Sequence, residues 1–411
     1  MRRAAKLCLS LLLLLPLSAR GQEGSLRVGI KGFADTYHAV RTGGKAEWMS
    51  SRTRVRGELS LDKGGAGIFV SSNAVYNGLM KDLTRIELRE ACLYFGNSRW
   101  DVRAGRQIII WGVADGLQVN DRISPMDYSE FLAQDYDDIR IPVNALKIKY
   151  SASNFSLEAV AVPVPGFFLL PTDGRNPWAV GGALPSPADF DLDTGKPAKR
   201  MANMEFGGRA AAYLRGADVS FYALRTWNKM PAMSYAMDMA AGRMIVTGHY
   251  HRLTMLGMDL SVPLGRFVLR GEGALCLKEV QGAGTGGAVA DRNSLNGLVG
   301  LDWYPGGDWN VSVQYCHKRV GGDLGGLSVQ RNTGFATGRI SKELFRNTLK
   351  LSTFAYVDVT NGGIFNRLSA SYALNDDVAL SLGYDFFHAD KGPFVMYKDN
   401  SEVWAKLKYS F

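Results

Sequence analysis

Polar and apolar residues alternate with a period of two along most of the chain. The alternation is clear in residues 52–61, 145–150, 204–214 and 378–386, where polar or charged side chains are separated by small or apolar ones. Successive side chains of a β-strand point to opposite faces, so this pattern predicts strands with one apolar and one polar face. Helical periodicity is hard to find, and no shift in composition divides the chain into domains.

The connections between these segments are of two kinds, which alternate along the chain. Short segments such as 62–65 and 305–308 are rich in glycine and aspartate, as tight turns are, whereas 109–142 and 163–201 have the length of loops. One strand between each pair of connections gives eighteen strands, with sixteen as the second choice. An even number of antiparallel strands can close on itself, and short turns opposite long loops are typical of membrane barrels. We therefore predict an all-β fold, an antiparallel transmembrane β-barrel.

The N-terminus has the pattern of a secretory signal. Basic residues precede a short apolar run, 7–17, and small residues follow at Ala19 and Gly21. We predict a signal peptide over residues 1–21 and a barrel over residues 22–411, with an uncleaved membrane anchor as the alternative.

The composition excludes several classes of protein. With 46% hydrophobic and 11% aromatic residues, the chain is too apolar to be disordered. Its formal net charge of +9 falls to +5 when the four basic residues of the signal are removed. So weak a charge does not indicate a nucleic-acid partner, and none is predicted.

Cysteine and histidine residues indicate neither a disulfide framework nor a metal site. The cysteines outside the signal, Cys92, Cys276 and Cys316, are odd in number and show no CxxC spacing. We predict free thiols, with a disulfide as the minority alternative. His249 and His251 share a strand face without an evident third ligand. No metal and no cofactor are predicted.

The C-terminal strand has an apolar face that ends at the last residue. Leu407, Tyr409 and Phe411 share this face. The pattern resembles the C-terminal strand that the assembly machinery of the bacterial outer membrane recognises. The resemblance implies that these three residues are an assembly signal.

A second resemblance covers about forty residues. Segments 105–112, 115–121, 124–127 and 138–142 look like a porin-like family of bacterial outer-membrane barrels of largely unknown function. Membership implies a β-barrel channel in the bacterial outer membrane, in contact with outer-membrane lipid and lipopolysaccharide, but it fixes no substrate. Oligomeric state is not predicted.

Charged residues indicate where such a channel is narrowest. In general porins the third extracellular loop folds into the barrel. Here the third long connection is acidic, with Asp115, Asp121, Asp127, Glu130, Asp135, Asp137 and Asp138. Arg52, Arg54 and Arg56 share one strand face, and an arginine facing lipid costs about 2–4 kcal/mol near mid-membrane. We therefore predict a constriction between this basic row and the acidic loop. In the alternative interpretation, the row merely holds the loop in place by salt bridges.

The same alternation predicts further charged residues on the inner wall, among them Lys278, Arg339, Lys406 and Glu272. Together these features favour a porin that lets small solutes diffuse passively, and not an enzyme. Three alternatives remain open. They are a channel for hydrophobic or aromatic molecules, suggested by the apolar run 159–170, a barrel enzyme such as a protease or lipase, and an adhesin.

Overall fold

The computed structural model describes residues 25–411 except 132–134, 137, 185–186 and 285. The predicted signal peptide, residues 1–21, lies outside the described residues, as does the candidate site residue Asp137. The boundary between signal and barrel therefore stays a prediction.

The described residues form mainly β-strands with a few short 3-10 helices. The strands are β1 (Arg27–Arg41), β2 (Trp48–Lys63), β3 (Ala66–Asn77), β4 (Arg85–Gly96), β5 (Trp100–Gln107), β6 (Val143–Ser151), β7 (Phe155–Val162), β8 (Ala188–Asp191), β9 (Glu205–Leu214), β10 (Ala217–Trp227), β11 (Ala232–Asp238), β12 (Arg243–His249), β13 (Arg252–Leu264), β14 (Phe267–Gln281), β15 (Ala290–Gly306), β16 (Trp309–Val320), β17 (Asn332–Leu344), β18 (Leu349–Asp358), β19 (Ile364–Ala373), β20 (Val378–His388) and β21 (Glu402–Ser410). The 3-10 helices are Lys81–Leu83, Val180–Ala183, Met201–Asn203 and Pro393–Tyr397.

Eighteen of the strands form one closed antiparallel barrel, which confirms the predicted fold and strand number. Each barrel strand pairs with the next barrel strand along the chain. The last strand, β21, pairs with β1 from Phe33↔Ser410 to Arg41↔Glu402. Because the last strand pairs with the first, no edge is left without hydrogen-bond partners. The remaining strands, β8, β11 and β12, form a separate three-stranded sheet within the long loops. Sequence analysis missed this small sheet, because it treated these loops as irregular.

The outer face of the barrel is apolar. On β21, Val403, Leu407 and Tyr409 are exposed, whereas Glu402 and Trp404 on the opposite face are buried. An aromatic belt follows the end of the barrel that carries the short turns. Its exposed members include Phe95, Trp100, Phe267, Trp303, Trp309, Tyr372, Tyr409 and Phe411. An apolar band bounded by aromatic residues is the surface that a barrel presents to lipid.

The register of the barrel shifts at four places, and two of these β-bulges bear on the charged residues of the inner wall. On β4 the pairing with β3 skips Arg89, between Leu88 and Glu90. On β14 the register shifts after Cys276, where Lys278 has a left-handed φ of 61°. A bulge adds one residue to one strand, so the residues after it change face. Lys278 is therefore exposed instead of facing the lumen as predicted, and Glu279 is buried inside.

The described helices and cysteines complete the picture. None of the helices in the described ranges is long and apolar enough to cross a membrane. Cys92, Cys276 and Cys316 are free thiols, as predicted.

Candidate channel constriction

The loop between β5 and β6, residues 108–142, folds into the barrel; we call it the inserted loop. The side chains of Ile109, Trp111, Val119 and Ile123 are buried in an apolar cluster with inward residues of the wall. The wall residues of this cluster are Val143, Ala145, Val160, Val162, Tyr222, Leu224, Leu253, Met255, Ala274, Cys276 and Leu298. These residues lie on β6, β7, β10 and β13–β15. The first half of the loop is thus packed against one side of the barrel, and burial of these side chains holds it there.

The tip of the inserted loop reaches the far wall. The carboxylate of Asp115 lies 3.0 Å from Arg339 of β17. The amide of Asp115 donates to Gln314 of β16 at 3.0 Å, and Tyr356 of β18 donates to the carbonyl of Gly116. The loop therefore crosses the lumen and divides its cross-section.

The row of Arg52, Arg54 and Arg56 lies on the inner face of β2, with 1%, 1% and 7% of each residue exposed. Arg54 and Arg56 each place a guanidinium nitrogen 2.9 Å from the carboxylate of Asp138 in the inserted loop. Arg54 also makes a bidentate pair with Asp35 of β1, at 2.7 and 3.1 Å. The structure thus places this row in direct contact with the acidic loop.

A third guanidinium reaches the same carboxylate from the bulge on β4. Arg89 lies 3.6 Å from the carboxylate of Asp138 and donates to its backbone carbonyl at 2.9 Å. Burial alone would raise the pKa of Asp138, but Arg54, Arg56 and Arg89 outweigh it and hold this pKa below its ordinary value. We call these four residues the Asp138 cluster.

The other acidic residues of the inserted loop also have partners. Asp127 pairs with Arg85 of β4 at 3.2 Å, and Asp135 pairs with Lys406 of β21 at 2.9 Å. Burial opposes the charge of Asp135, yet Lys406 lowers the pKa of this carboxyl below its ordinary value. These pairs tie the second half of the loop to both sides of the seam where β21 meets β1.

Glu130 and Asp121 are held differently. Glu130 accepts a hydrogen bond from Asn77 at 2.8 Å and lies 4.0 Å from Arg52; burial raises its pKa in spite of that arginine. Asp121 pairs with Arg140 of the same loop, which joins the two halves of the loop to each other. The acidic residues of the loop and the basic row are thus in direct contact, and their charges neutralise each other in part.

Sequence reasoning missed three members of this network, Asp35, Arg85 and Arg89, and the role of a fourth, Glu272. Asp35 could have been found, because it sits on the same face of β1 as Tyr37 and faces Arg54 in the register. Arg85 and Arg89 could also have been found, because they alternate on β4 with the exposed residues Ile86 and Leu88. Glu272 was predicted to face the lumen, but its hydrogen bonds to the inserted loop were not.

The apolar run 159–170 packs beneath other loops. Val160 and Val162 belong to the apolar cluster, and Phe167 and Phe168 are buried. The backbone of Leu169 bonds to the inserted loop, accepting from the amide of Tyr128 at 2.8 Å. This packing matches the interpretation of the run as a plug at the mouth of the barrel, rather than an open apolar path.

The histidines at the rim of the barrel have local partners. His249 shares a hydrogen bond of 2.8 Å with Ser234, and His251 one of 2.6 Å with Asp291. Within the described part of the chain, no group of three or more His, Cys, Asp or Glu residues is arranged to hold a metal ion.

A family model described as "Protein of unknown function (DUF1302)" matches residues 84–275, which include the whole inserted loop. No curated protein matches the chain.

Several solved porins of Pseudomonas aeruginosa have a similar fold. OpdL matches with a TM-score of 0.54 and 11% identity, covering 93% of this chain and 98% of its own. OccK2 (OpdF), solved in complex with glucuronate, has a TM-score of 0.54 and 10% identity, covering 95% and 99%. OccK3 (OpdO) has a TM-score of 0.53 and 11% identity, covering 93% and 95%.

At this level of identity the likeness shows the fold. The chain has the eighteen-stranded barrel of bacterial outer-membrane porins. Its apolar outer face and aromatic belt are those of a protein embedded in the outer membrane. The resemblance of residues 105–142 to a porin-like family of largely unknown function is confirmed.

Proposed function

We propose that this protein is an outer-membrane channel through which small polar solutes diffuse passively. The observation that supports this proposal most directly is the inserted loop, which crosses the lumen of a closed barrel and narrows it. The charged side chains around it are buried at the wall and partly exposed at the tip, where Asp115 and Arg339 keep about a third or more of their side chains exposed to water. Such a lining is suited to polar solutes.

Within this channel we propose that the arginine row and the acidic loop form the constriction. The residues concerned are Arg52, Arg54, Arg56, Asp115, Asp121, Asp127, Asp135, Asp137 and Asp138. The contacts of those that the structure describes support a site that sets both the width of the opening and its charge.

Single-channel recording in planar lipid bilayers tests the proposal. The refolded barrel should produce discrete, long-lived conductance steps in KCl. A barrel that shows heat-modifiable migration, the mark of a folded barrel, but gives no steps would contradict the channel function and favour an adhesin or an enzyme.

We also propose that Leu407, Tyr409 and Phe411 are read by the outer-membrane assembly machinery. All three side chains are exposed on the lipid face of the closing strand, and the backbone of Phe411 pairs with Gly32 at 2.9 Å in both directions. Deletion of Phe411 should lower the amount of barrel in the outer membrane and leave protease-sensitive protein in the periplasm. Normal yield and normal heat-modifiable folding would contradict this role.

A further inference from the structure

One carboxylate of the barrel wall binds the backbone of the inserted loop. Glu272, on the inner face of β14, is 6% exposed and carries no ion pair in the described contacts; its oxygens accept from backbone amides instead. The amides are those of Val113, Ala114 at 2.5 Å and Asn120 at 3.1 Å. The side-chain amide of Asn120 donates to the same carboxylate at 3.1 Å.

These bonds satisfy donors that have no strand partner. A loop that enters a barrel must find acceptors for its buried N–H groups, since an unsatisfied one costs about 1–3 kcal/mol. A carboxylate is the strongest acceptor among side chains, because its charge strengthens each bond. Glu272 thus binds both ends of the segment 113–120, at Val113 and Ala114 on one side and at Asn120 on the other.

Neighbouring wall residues complete the arrangement. Arg270, two positions earlier on β14, donates to the carbonyl of Val113 at 2.7 Å, so β14 binds both sides of this residue. Gln314 of β16 accepts from the amide of Asp115 and donates to its carbonyl, both at 3.0 Å. The side chains of Arg270, Glu272 and Gln314 therefore supply the hydrogen-bond partners that the backbone of residues 113–115 would otherwise find in a neighbouring strand.

Two glycines make room for these contacts. Gly112 has a left-handed φ of 97°, and a Cβ placed there would lie 2.6 Å from Oε1 of Glu272. A Cβ at Gly257 of β13 would overlap the side chain of Asn120, which is fully buried. Close approach of loop to wall at both points requires residues without side chains.

We propose that Glu272 is the positioning residue that fixes the tip of the inserted loop and thereby sets the width of the opening. The positioning of the tip does not depend on the proposed channel function; only the claim about the width of the opening rests on it. Without the carboxylate, residues 113–120 lose four hydrogen bonds, which weakens the hold on the tip that carries Asp115 and Gly116.

The test compares Glu272→Ala and Glu272→Gln with Asp259→Asn. Asp259 is a good control, because it faces Glu272 in the β13–β14 register, is equally buried and accepts its hydrogen bond from the wall residue Tyr222. A second variant, Gly112→Ala, acts from the loop side and leaves every wall residue unchanged. Heat-modifiable migration shows that each barrel is folded.

Amide hydrogen exchange reports the position of the loop whether or not the barrel conducts. Exchange of residues 113–120 should rise about tenfold or more in Glu272→Ala and Gly112→Ala, less in Glu272→Gln, and stay unchanged in Asp259→Asn. Single-channel conductance should rise at least about 1.5-fold in the first two variants, because the constriction widens.

Unchanged exchange in Glu272→Ala would overturn the positioning role. Faster exchange with unchanged conductance in a barrel that conducts would overturn the link to pore width. If the parent barrel does not conduct at all, the proposed channel function fails, while hydrogen exchange still decides whether Glu272 positions the loop.

Discussion

The two halves of the inserted loop are held by different physical means. The first half, residues 108–123, is held mainly by apolar packing on one wall and by hydrogen bonds from its backbone amides to Glu272, with the ion pair of Asp115 and Arg339 at its tip. The second half, residues 124–142, is tied to the opposite wall by ion pairs, above all by Asp138 with its three arginines.

Because of this difference, the position of the first half of the loop and the ion selectivity of the proposed channel depend on different contacts. Apolar packing and bonds to backbone amides do not depend on which charged side chains the first half of the loop carries. In the second half, the ion pairs that hold Asp127, Asp135 and Asp138 also place charge on the inner wall. A change of charge there must alter both the hold on the loop and the field that a solute meets.

Removal of the arginine row should have the largest effect. Replacing Arg52, Arg54 and Arg56 with Ser leaves Asp35 and Asp138 short of cations in a buried site, which costs roughly 3–5 kcal/mol for each broken pair. We expect higher conductance and a shift toward cation selectivity, measured as the reversal potential in a tenfold KCl gradient. A shift toward anions, or no change in either quantity, would show that these residues do not form the constriction.

Removal of the central carboxylate should act in the opposite direction. Asp138→Asn leaves three guanidinium groups without their shared partner, so the lumen becomes more positive and selectivity should move toward anions. The loss in free energy of unfolding should be roughly 3 kcal/mol, measured by urea titration in detergent or lipid. Asp173→Asn, in an exposed loop, is a suitable control, because its pair with Arg175 is open to solvent. Equal effects of the two variants would contradict the central role of Asp138.

Mild acid should leave the Asp138 cluster intact. A carboxyl whose pKa is lowered by folding contributes its full stability above the ordinary aspartate value of about 3.9, and loses it only as pH falls through the lowered value. Selectivity should therefore be constant between about pH 7 and 5. A midpoint in this range that disappears in Asp138→Asn would be inconsistent with the cluster. A midpoint that persists there would belong to another carboxyl, such as Glu130, whose pKa burial raises.

Arg89 should contribute least among the members of the cluster. Its guanidinium is 3.6 Å from the carboxylate, against 2.9 Å for Arg54 and Arg56. Arg89→Ala should cost about 1 kcal/mol, and a double-mutant cycle with Asp138→Asn should give a coupling of similar size. A coupling near zero would mean that Arg89 lies beside Asp138 without a role in holding the loop.

Much of this architecture was predictable from local patterns. The alternation of residues 52–56 predicted that the arginine row faces the lumen, because exposing three arginines to lipid is unfavourable in free energy. The strand number followed from turns such as 62–65, since tight turns have strong composition signals. The insertion of residues 109–142 came from a resemblance to porins rather than from the residues themselves.

The chain by itself determined which segments cross the membrane and which of their faces meets lipid, because a period of two is a property of each strand alone. Only the tertiary structure decided which charges meet. A bulge moves Lys278 outward, and the path of the inserted loop brings Asp138 to β2 and the amides of residues 113–120 to Glu272. These contacts join residues more than eighty positions apart in a closed barrel, and no local pattern encodes such a distance.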